Sequence, residues 1–408
     1  MTTAEPRRPL GLYLHLPFCD HKCAYCDFNS YAGLDHLIPD YTAALCRDLG
    51  LWREAAAGYA VTTVFFGGGT PSLTPLPQLA RILDTVAAHF TVATDAEISL
   101  EANPGTVDEP YLRGLRALGV NRLSLGVQSF ADSQLRLLDR MHDGAQAVAA
   151  YRAARAAGFG NINLDLIFGL QGQDLDGWRA NLRRATELAP EHLSLYALTI
   201  EDGTKLAWQV QQRLAPAPDP DLQADMYETT TALMAAADYA QYEISNWALP
   251  GRACRHNLIY WRNAPYLGLG AGAHSCLAGR RFAAVRAPAA YMARVALATG
   301  GPLSPAEPLT VRFPQIASDD RLDPLTDASD SAILGLRLNE GLDLAAFAAR
   351  HGAALDALAG PALAELTAWG LLERDADRLR LTARGRLLSN EVFLRLLPDA
   401  LCAATLDG

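Results

Sequence analysis

The sequence lacks an apolar run of the kind found in export signals and membrane helices. Its N-terminal residues, MTTAEPRRPLGLYLHLP, interleave charge and proline with short apolar pieces. A signal peptide needs about 7–15 consecutive apolar residues, and a membrane helix needs about 20. The chain also lacks excess positive charge. Its formal net charge of −10 argues against a general nucleic-acid-binding role. We therefore expect a cytoplasmic protein with no membrane span.

The cysteines do not form the even, regularly spaced set of a disulfide framework. There are seven, of which Cys19, Cys23 and Cys26 are clustered and four are scattered: Cys46, Cys254, Cys276 and Cys402. Clustered thiols in a chain without an export signal bind metal more often than they pair. The C-x3-C-x2-C spacing can hold three irons of a [4Fe–4S] cluster and leave the fourth iron open. The alternative is a zinc site completed by His15 or His21, although zinc usually takes paired cysteines.

Six short apolar runs alternate with helical stretches in the first two hundred residues. The runs are LGLYLHLP, VTTVFFGG, AEISLEANP, NRLSLGVQSF, NINLDLIFGL and HLSLYALTI. Each helical stretch is long enough to cross back over a sheet, which predicts right-handed βα units around a buried parallel sheet. Six units are too few for an eightfold barrel. We therefore predict an α/β fold built on a partial (βα)6 barrel.

Polar residues are concentrated where these runs end, at the edge where parallel α/β folds place their sites. The segment FFGGGTPS, residues 65–72, could bring its backbone close to a ligand, or it could be a plain tight turn. A single strand-end acid or amide could be a helix cap. Glu101, Gln128 and Asp165 together favour a bound polar ligand, because polar groups there are costly unless paired. Arg140 could hold a carboxylate or lie on the surface.

The alternation fades after about residue 205. Residues 254–275 are rich in glycine and aromatics, and residues 305–327, rich in proline and aspartate, are typical of a linker. Residues 328–408 predict a small, mainly helical, winged-helix-like module with two short strands joined at residues 375–377. We predict three parts, 1–240, 241–310 and 311–408. The basic segment RLRLTARGR allows a nucleic-acid-reading module, but the acidic chain and the absence of stacking aromatics there argue against it.

The combination of CDHKCAYC, GGGTP and polar strand ends resembles the radical S-adenosylmethionine (SAM) superfamily. More closely, YLHLPFC, FFGGGTPSL, LEANPGT, LSLGVQSF and LIFGLQGQ resemble the branch that contains oxygen-independent coproporphyrinogen III dehydrogenase and the HemW-type haem chaperones. The resemblance extends from about residue 10 to the C-terminus and includes LTARGRLLSN. It implies cofactors that composition and spacing alone do not establish.

The resemblance implies a [4Fe–4S] cluster whose open iron chelates SAM, and a role for each matching residue. Cys19, Cys23 and Cys26 would hold the cluster. Gly68, Gly69 and Thr70 would meet the amino group of SAM, and Arg140 would pair with its carboxylate. The remaining residues would face the methionine, ribose and adenosyl groups or the cluster: Tyr13, Tyr25, Glu101, Gln128 and Asp165. A reduced cluster could then cleave SAM to a 5′-deoxyadenosyl radical, and the protein would orient it.

Two features favour the chaperone over the dehydrogenase. Phe28 stands where the dehydrogenase has a fourth cysteine, and the chain carries the H-N-x-x-Y-W signature of the chaperones at residues 256–261. An imidazole can ligate haem iron, so His256 is the candidate ligand and Cys254 the alternative; a hydrogen-bonded loop histidine is the other interpretation. The resemblance implies haem as cargo, haem-accepting proteins as partners, a homodimer and peripheral membrane association. The alternative function is a radical SAM enzyme acting on a porphyrinogen.

Overall fold

The computed structural model describes residues 7–398, and Cys402 lies outside the described residues. The strands are β1 (Arg8–Leu16), β2 (Phe18–Cys19), β3 (Tyr31–Ala32), β4 (Tyr59–Gly68), β5 (Val92–Ala102), β6 (Arg122–Gln128), β7 (Ile162–Phe168), β8 (His192–Ala197), β9 (Ala240–Glu243), β10 (Asn246–Ala248), β11 (Tyr266–Leu269), β12 (His274–Leu277), β13 (Arg280–Ala284), β14 (Ile316–Arg321), β15 (Leu342–Asp343), β16 (Leu372–Asp375) and β17 (Arg378–Leu381).

Helices cover the sheet and build the C-terminal part. They are α1 (Ile38–Leu51), α2 (Leu76–His89), α3 (Glu109–Ala117), α4 (Asp132–Leu137), α5 (Gly144–Ala156), α6 (Leu175–Glu187), α7 (Lys205–Gln211), α8 (Pro220–Ala236), α9 (Arg255–Trp261), α10 (Pro288–Leu297), α11 (Leu309–Arg312), α12 (Pro324–Leu336), α13 (Leu344–His351), α14 (Leu355–Ala368), α15 (Ala383–Leu387) and α16 (Ser389–Leu394). Within residues 7–398, no helix combines the length and apolarity needed to cross a membrane.

Six parallel strands form the centre of a twelve-stranded sheet. They run in the order β1-β4-β5-β6-β7-β8 and correspond to the six apolar runs of the sequence. Leucines that alternate with the cavity-lining residues, such as Leu12, Leu100 and Leu164, are fully buried, because helices cover the outer face of the sheet and neighbouring strands supply the remaining contacts. The α/β fold with a partial (βα)6 barrel is confirmed. The barrel is open, since the sheet ends at β14 on one side and at β9 on the other.

The strands added at the two edges were incompletely predicted. The segment QYEISNWAL forms the hairpin β9–β10, which pairs antiparallel with β8, rather than one strand. Strand β11 pairs parallel with β1, and β12, β13 and β14 follow as an antiparallel meander. Strand β14 lies inside residues 305–327, so the prediction that this segment is only a linker was wrong. Only Ile316 of this strand is buried, and its antiparallel partner β13 was not visible from composition.

The C-terminal part is the winged-helix-like module that the sequence predicts. Strands β16 and β17 form a hairpin, β15 pairs with β17, and helices α12 to α16 surround this small sheet. Its apolar core, which includes Leu336, Leu366 and Leu379, is separate from the core under the large sheet. The division at residues 240 and 310 stays a prediction.

Candidate cofactor site and a neighbouring cavity

A cavity of about 330 Å³ opens at the carboxyl edge of the parallel strands. Parallel strands end at a common edge, so residues far apart in sequence meet there. The predicted site residues that line this cavity are Cys19, Cys23, Cys26, Tyr25, Gly69, Thr70, Glu101, Gln128, Arg140 and Asp165. Tyr13, Gly68 and His256 do not line it.

The loop that carries the three cysteines is closed by hydrogen bonds from the Lys22 side chain to its backbone. The Lys22 ammonium donates to the carbonyl oxygens of Phe28 and Ser30, at 2.9 and 3.3 Å, and closes the loop. Burial raises the pKa of the Cys19 and Cys26 thiols. Since the thiolate is the metal-binding form, metal assembly here must release protons.

Two glycines allow the loop after β4 to pass close to the cysteine loop. Gly68 has a φ of 116°, and a Cβ there would lie 2.6 Å from the ring of His15. A Cβ on Gly69 would lie 2.5 Å from the carbonyl oxygen of Phe18. Any larger residue would therefore push the two loops apart. The Gly68 backbone N–H donates to Glu101 Oε2 at 3.3 Å, and Gly68 lines the second cavity rather than the first.

A chain of hydrogen bonds connects two of the three cysteines. The Thr70 hydroxyl donates to Cys19 Sγ at 3.4 Å and accepts from Asn103 Nδ2 at 3.1 Å. Asn103 Oδ1 accepts from Arg140 Nη2 at 2.6 Å, and Arg140 Nη1 donates to Cys23 Sγ at 3.5 Å. Sequence reasoning did not single out Asn103, although it lies in the quoted motif LEANPGT, two residues after Glu101.

The acidic residues of the cavity have environments that favour their protonated forms. Burial, followed by the charge of Asp165, raises the pKa of Glu101 to about 8. Burial also raises the pKa of Asp165, which accepts from Ser124 Oγ at 3.2 Å and from Asn163 Nδ2 at 2.7 Å. Gln128 has a left-handed φ of 66°, which is uncommon for a side-chain-bearing residue and concentrates at ligand sites.

The donor set of the cavity fits a cluster and an amino-acid cofactor. Besides its bonds to Asn103 and Cys23, the Arg140 guanidinium donates to the Gly126 carbonyl oxygen at 2.6 Å. Its Nε–H is buried and has no partner, and an unpaired buried donor is costly. A carboxylate such as that of SAM would satisfy this donor, with the three cysteine residues on the same cavity wall.

The two histidines of the zinc alternative differ in their surroundings: His21 lines the first cavity, whereas His15 is already hydrogen-bonded. Both ring nitrogens of His15 are engaged, Nδ1 with the Tyr13 hydroxyl at 3.0 Å and Nε2 with the Asn29 carbonyl oxygen at 2.9 Å. Across residues 7–398, no three histidine, cysteine or acidic side chains are grouped closely enough to hold a single metal ion.

A second cavity, of about 660 Å³, lies beside the first. Phe28 and Glu101 line both cavities, so the two share a wall. Tyr13 and Gly68 belong to the second cavity, not to the cluster side where Tyr13 was expected. Other side chains on its wall come from β1, α9, β11 and β12: His15, Tyr260, Tyr266 and His274.

His256 lies behind this second cavity and is 1% exposed. Its Nδ1 is 2.7 Å from the Thr63 hydroxyl, and its Nε2 is 2.8 Å from the Tyr260 hydroxyl. The ring stacks on Phe65 with centroids 5.0 Å apart. Burial, followed by the charge of Arg122, lowers the pKa of His256 to about 3. Ligation of iron by His256 would therefore require one ring nitrogen to give up its hydrogen bond and the buried ring to become accessible to the iron.

Cys254 is also enclosed. It is fully buried, and its thiol lies 3.6 Å from Glu97 Oε1. Burial raises the pKa of this thiol to about 12. The Glu97 carboxylate also accepts the backbone N–H groups of Arg255 and His256, both at 3.1 Å. Glu97 thereby caps helix α9 and fixes the position of the whole H-N-x-x-Y-W segment.

Comparisons with known proteins agree with this geometry. The model of the Radical SAM superfamily matches residues 13–185, and the model of the HemN C-terminal domain matches residues 322–388. The heme chaperone HemW of Mycobacterium tuberculosis H37Rv is 41% identical over 96% of each chain. The heme chaperone HemW of Bacillus subtilis is 35% identical over 93% of this chain and 97% of its own.

Among solved structures, coproporphyrinogen III oxidase from Escherichia coli, described as a radical SAM enzyme, is similar over almost the whole fold. It has a TM-score of 0.80 and 26% sequence identity, and the match covers 97% of this chain and 91% of that chain. The fold and the site together define a radical SAM protein. Within that superfamily, the chain belongs to the HemW family of heme chaperones.

Proposed function

We propose that this protein binds haem and delivers it to haem-dependent proteins, and that it holds a [4Fe–4S] cluster and SAM. The observation that carries the proposal is the presence of two adjoining cavities, one lined by the three cysteines and one walled by the Tyr260 of the H-N-x-x-Y-W segment. Relatives that match almost the full chain are named heme chaperones.

In the first cavity, Cys19, Cys23 and Cys26 would hold the cluster, and Arg140 would receive the carboxylate of SAM. Glu101, Gln128 and Asp165 offer oxygen and amide groups for the methionine and ribose, and Tyr25 supplies an aromatic surface. When bound, cluster and SAM supply one-electron chemistry. The protein's own contribution is to orient SAM through Arg140 and to fix two cysteines through the Thr70–Asn103–Arg140 chain.

The second candidate function is a radical SAM enzyme acting on a porphyrinogen. The observation that favours it is the similarity to coproporphyrinogen III oxidase over 97% of the chain. Against it stands Phe28, which is 62% exposed at the position of the dehydrogenase's extra cysteine. A phenylalanine there presents an apolar face and no thiol.

An anaerobic experiment separates the two functions. The reconstituted protein is titrated with haem, and SAM cleavage is assayed in parallel with coproporphyrinogen III. We expect tight haem binding and no turnover of the porphyrinogen. Transfer is then measured by mixing the haem-loaded protein with a haem-free acceptor. Formation of protoporphyrinogen, or failure to bind haem, would contradict the chaperone proposal. Acid–acetone extraction of the loaded protein distinguishes non-covalent from covalent haem.

The predicted haem ligand, the homodimer, the peripheral membrane association and the domain boundary remain part of this proposal. His256, with Cys254 as the alternative, is the haem ligand that the sequence predicts, and the homodimer and peripheral membrane association come from the family resemblance.

For the domain division, the separate apolar core of the C-terminal part supports a boundary close to its start at α12. Strand β14 pairs with β13, so we propose that the boundary lies after β14, near residue 322.

A further inference from the structure

The second cavity contains a histidine that sequence reasoning did not single out. His274 begins β12, is exposed, and lines the cavity. No other side chain within residues 7–398 engages its ring nitrogens, in contrast to those of His15 and His256. A neutral imidazole with a free nitrogen is a common axial ligand of haem iron.

The surroundings of His274 offer space for a flat, apolar ligand. The cavity volume of about 660 Å³ lies within the usual range of about 300–1,000 Å³ for small-molecule sites. Opposite His274 on β13 is Ala283, and the neighbouring floor is built of other small residues: Gly272, Ala273, Ala284 and Ala317. Small side chains here leave an even surface on which a macrocycle can lie.

Aromatic side chains form the walls. Tyr260 and Tyr266 pack edge to face with centroids 4.7 Å apart, and Phe28 exposes most of its ring at the boundary with the first cavity. Covering a solvent-exposed apolar ring with a ligand lowers the free energy of the complex. The Tyr260 hydroxyl is fixed by His256 Nε2, so the signature histidine positions a wall of the cavity from behind.

The lining of the second cavity includes a cationic side chain, which binding of a haem propionate requires. Arg286 is exposed and lines the cavity. Its Nε lies 3.4 Å from Asn29 Oδ1, and its carbonyl oxygen accepts from Asn29 Nδ2 at 2.9 Å. The second Asn29 bond, to the Ala271 carbonyl oxygen at 2.9 Å, ties the cysteine loop to this rim. Guanidinium groups pair strongly with carboxylates.

We propose that the second cavity is the haem site, that His274 is the axial ligand of the iron, and that Arg286 pairs with a haem propionate. This inference rests on the proposed haem-binding function and adds the ligand and the orientation of the cargo. His256 then acts as a positioning residue that holds Tyr260 from behind the cavity.

The test uses the full chain with its cluster reconstituted anaerobically, titrated with ferric protoporphyrin IX. We expect His274→Ala to weaken binding at least tenfold and to remove the imidazole signature from the absorption and EPR spectra. His274→Gly should recover that signature when free imidazole is added, and His274→Cys should give a thiolate-type spectrum. His36→Ala is the matched control, because His36 is exposed and lies away from both cavities.

The role of Arg286 is tested with haem and haem dimethyl ester, whose propionates are uncharged. Arg286→Ala should weaken haem binding several-fold and leave the binding of the ester unchanged. Equal losses for both ligands would overturn the ion pair.

The outcomes distinguish this inference from the function on which it rests. Binding by the unaltered protein, with full affinity and an unchanged spectrum in His274→Ala, would overturn the His274 assignment and keep the haem-binding function. If His256→Ala loses the imidazole signature while His274→Ala keeps it, and circular dichroism shows an intact fold, then His256 is the axial ligand. Absence of haem binding in the unaltered protein would overturn the proposed function itself.

Discussion

The guanidinium of Arg140 lies 3.5 Å from the sulfur of Cys23, although 117 residues separate them in the chain. This contact joins the loop that carries the thiols to the turn after α4, and it places the buried, unpaired Nε–H of Arg140 at the first cavity. The same cation therefore contacts the cysteine loop and offers a donor to the cofactor proposed for this cavity.

We expect Arg140→Lys to weaken SAM binding by about 10- to 100-fold, because hydrogen bonds to charged groups contribute about 1.5–3 kcal/mol and lysine lacks the planar fork. Calorimetric titration of the reconstituted protein with SAM measures this loss. Arg136→Lys, on the exposed side of α4, is the control and should bind SAM normally. Unchanged affinity in Arg140→Lys would remove Arg140 from the SAM site.

Cys23→Ala should abolish the visible absorbance of the reconstituted cluster, because the remaining two thiolates cannot hold a cubane that requires three. Iron and sulfide analysis measures the same loss. Cys46→Ala is the matched control, since this thiol lies outside the cavity and donates its hydrogen bond to the Arg81 carbonyl oxygen at 3.7 Å. A full cluster spectrum in Cys23→Ala would show that the three-thiolate assignment is wrong.

Acid should destabilise the protein through His256. Its pKa is about 3 when folded, against an ordinary value of 6.5, so below pH 6.5 the unfolded chain binds a proton that the folded chain does not. This contribution is fully retained above pH 6.5, and it is lost progressively as the pH falls toward 3. At about pH 5 the loss should be about 2 kcal/mol.

Urea unfolding at a series of pH values measures this loss. The free energy of unfolding of His256→Asn should depend less on pH between about 6.5 and 3, and His36→Asn should follow the unaltered protein. Equal pH dependence in all three proteins would contradict the assignment of a neutral, buried His256.

Phe28→Ala should weaken haem binding without lowering the stability of the fold. The side chain is 62% exposed, so its removal should change the free energy of unfolding by less than about 1 kcal/mol. Haem affinity should nevertheless fall several-fold, because the ring lines the second cavity. Leu297→Ala removes a side chain that is 75% exposed and remote from the cavities, and it should affect neither quantity. A large loss of stability in Phe28→Ala would assign the ring a structural role instead.

The sequence was sufficient to predict the repeated βα units of the parallel sheet. Each run of the parallel sheet is apolar and bounded by a crossover, so periodicity alone predicted β4 to β8, and the motifs at their ends predicted most of the first cavity. Strand β14 was missed because IASDDR has no apolar alternation. It becomes a strand because β13 is beside it.

The second cavity was not predictable from spacing. Its lining combines the cysteine loop with residues of β1, α9, β5 and β11 to β14, and the parallel pairing of β11 with β1 brings the C-terminal strands to this place. The sequence places His256 in a recognisable motif and His274 in a glycine-rich segment. Burial and hydrogen bonding distinguish the two rings, and both depend on tertiary contacts such as that of His256 with Thr63, 193 residues away.

The carboxyl group of Glu101 forms part of the wall of both cavities, so SAM in the first cavity and haem in the second, as proposed, would be thermodynamically coupled. A molecule that changes the position or charge of Glu101 from one side alters the free energy of binding on the other. Such linkage is reciprocal: the factor by which SAM changes the affinity for haem must equal the factor by which haem changes the affinity for SAM. If SAM and haem occupy these cavities as proposed, a single carboxyl group would give the cofactor a means of controlling when haem is held and when it is released.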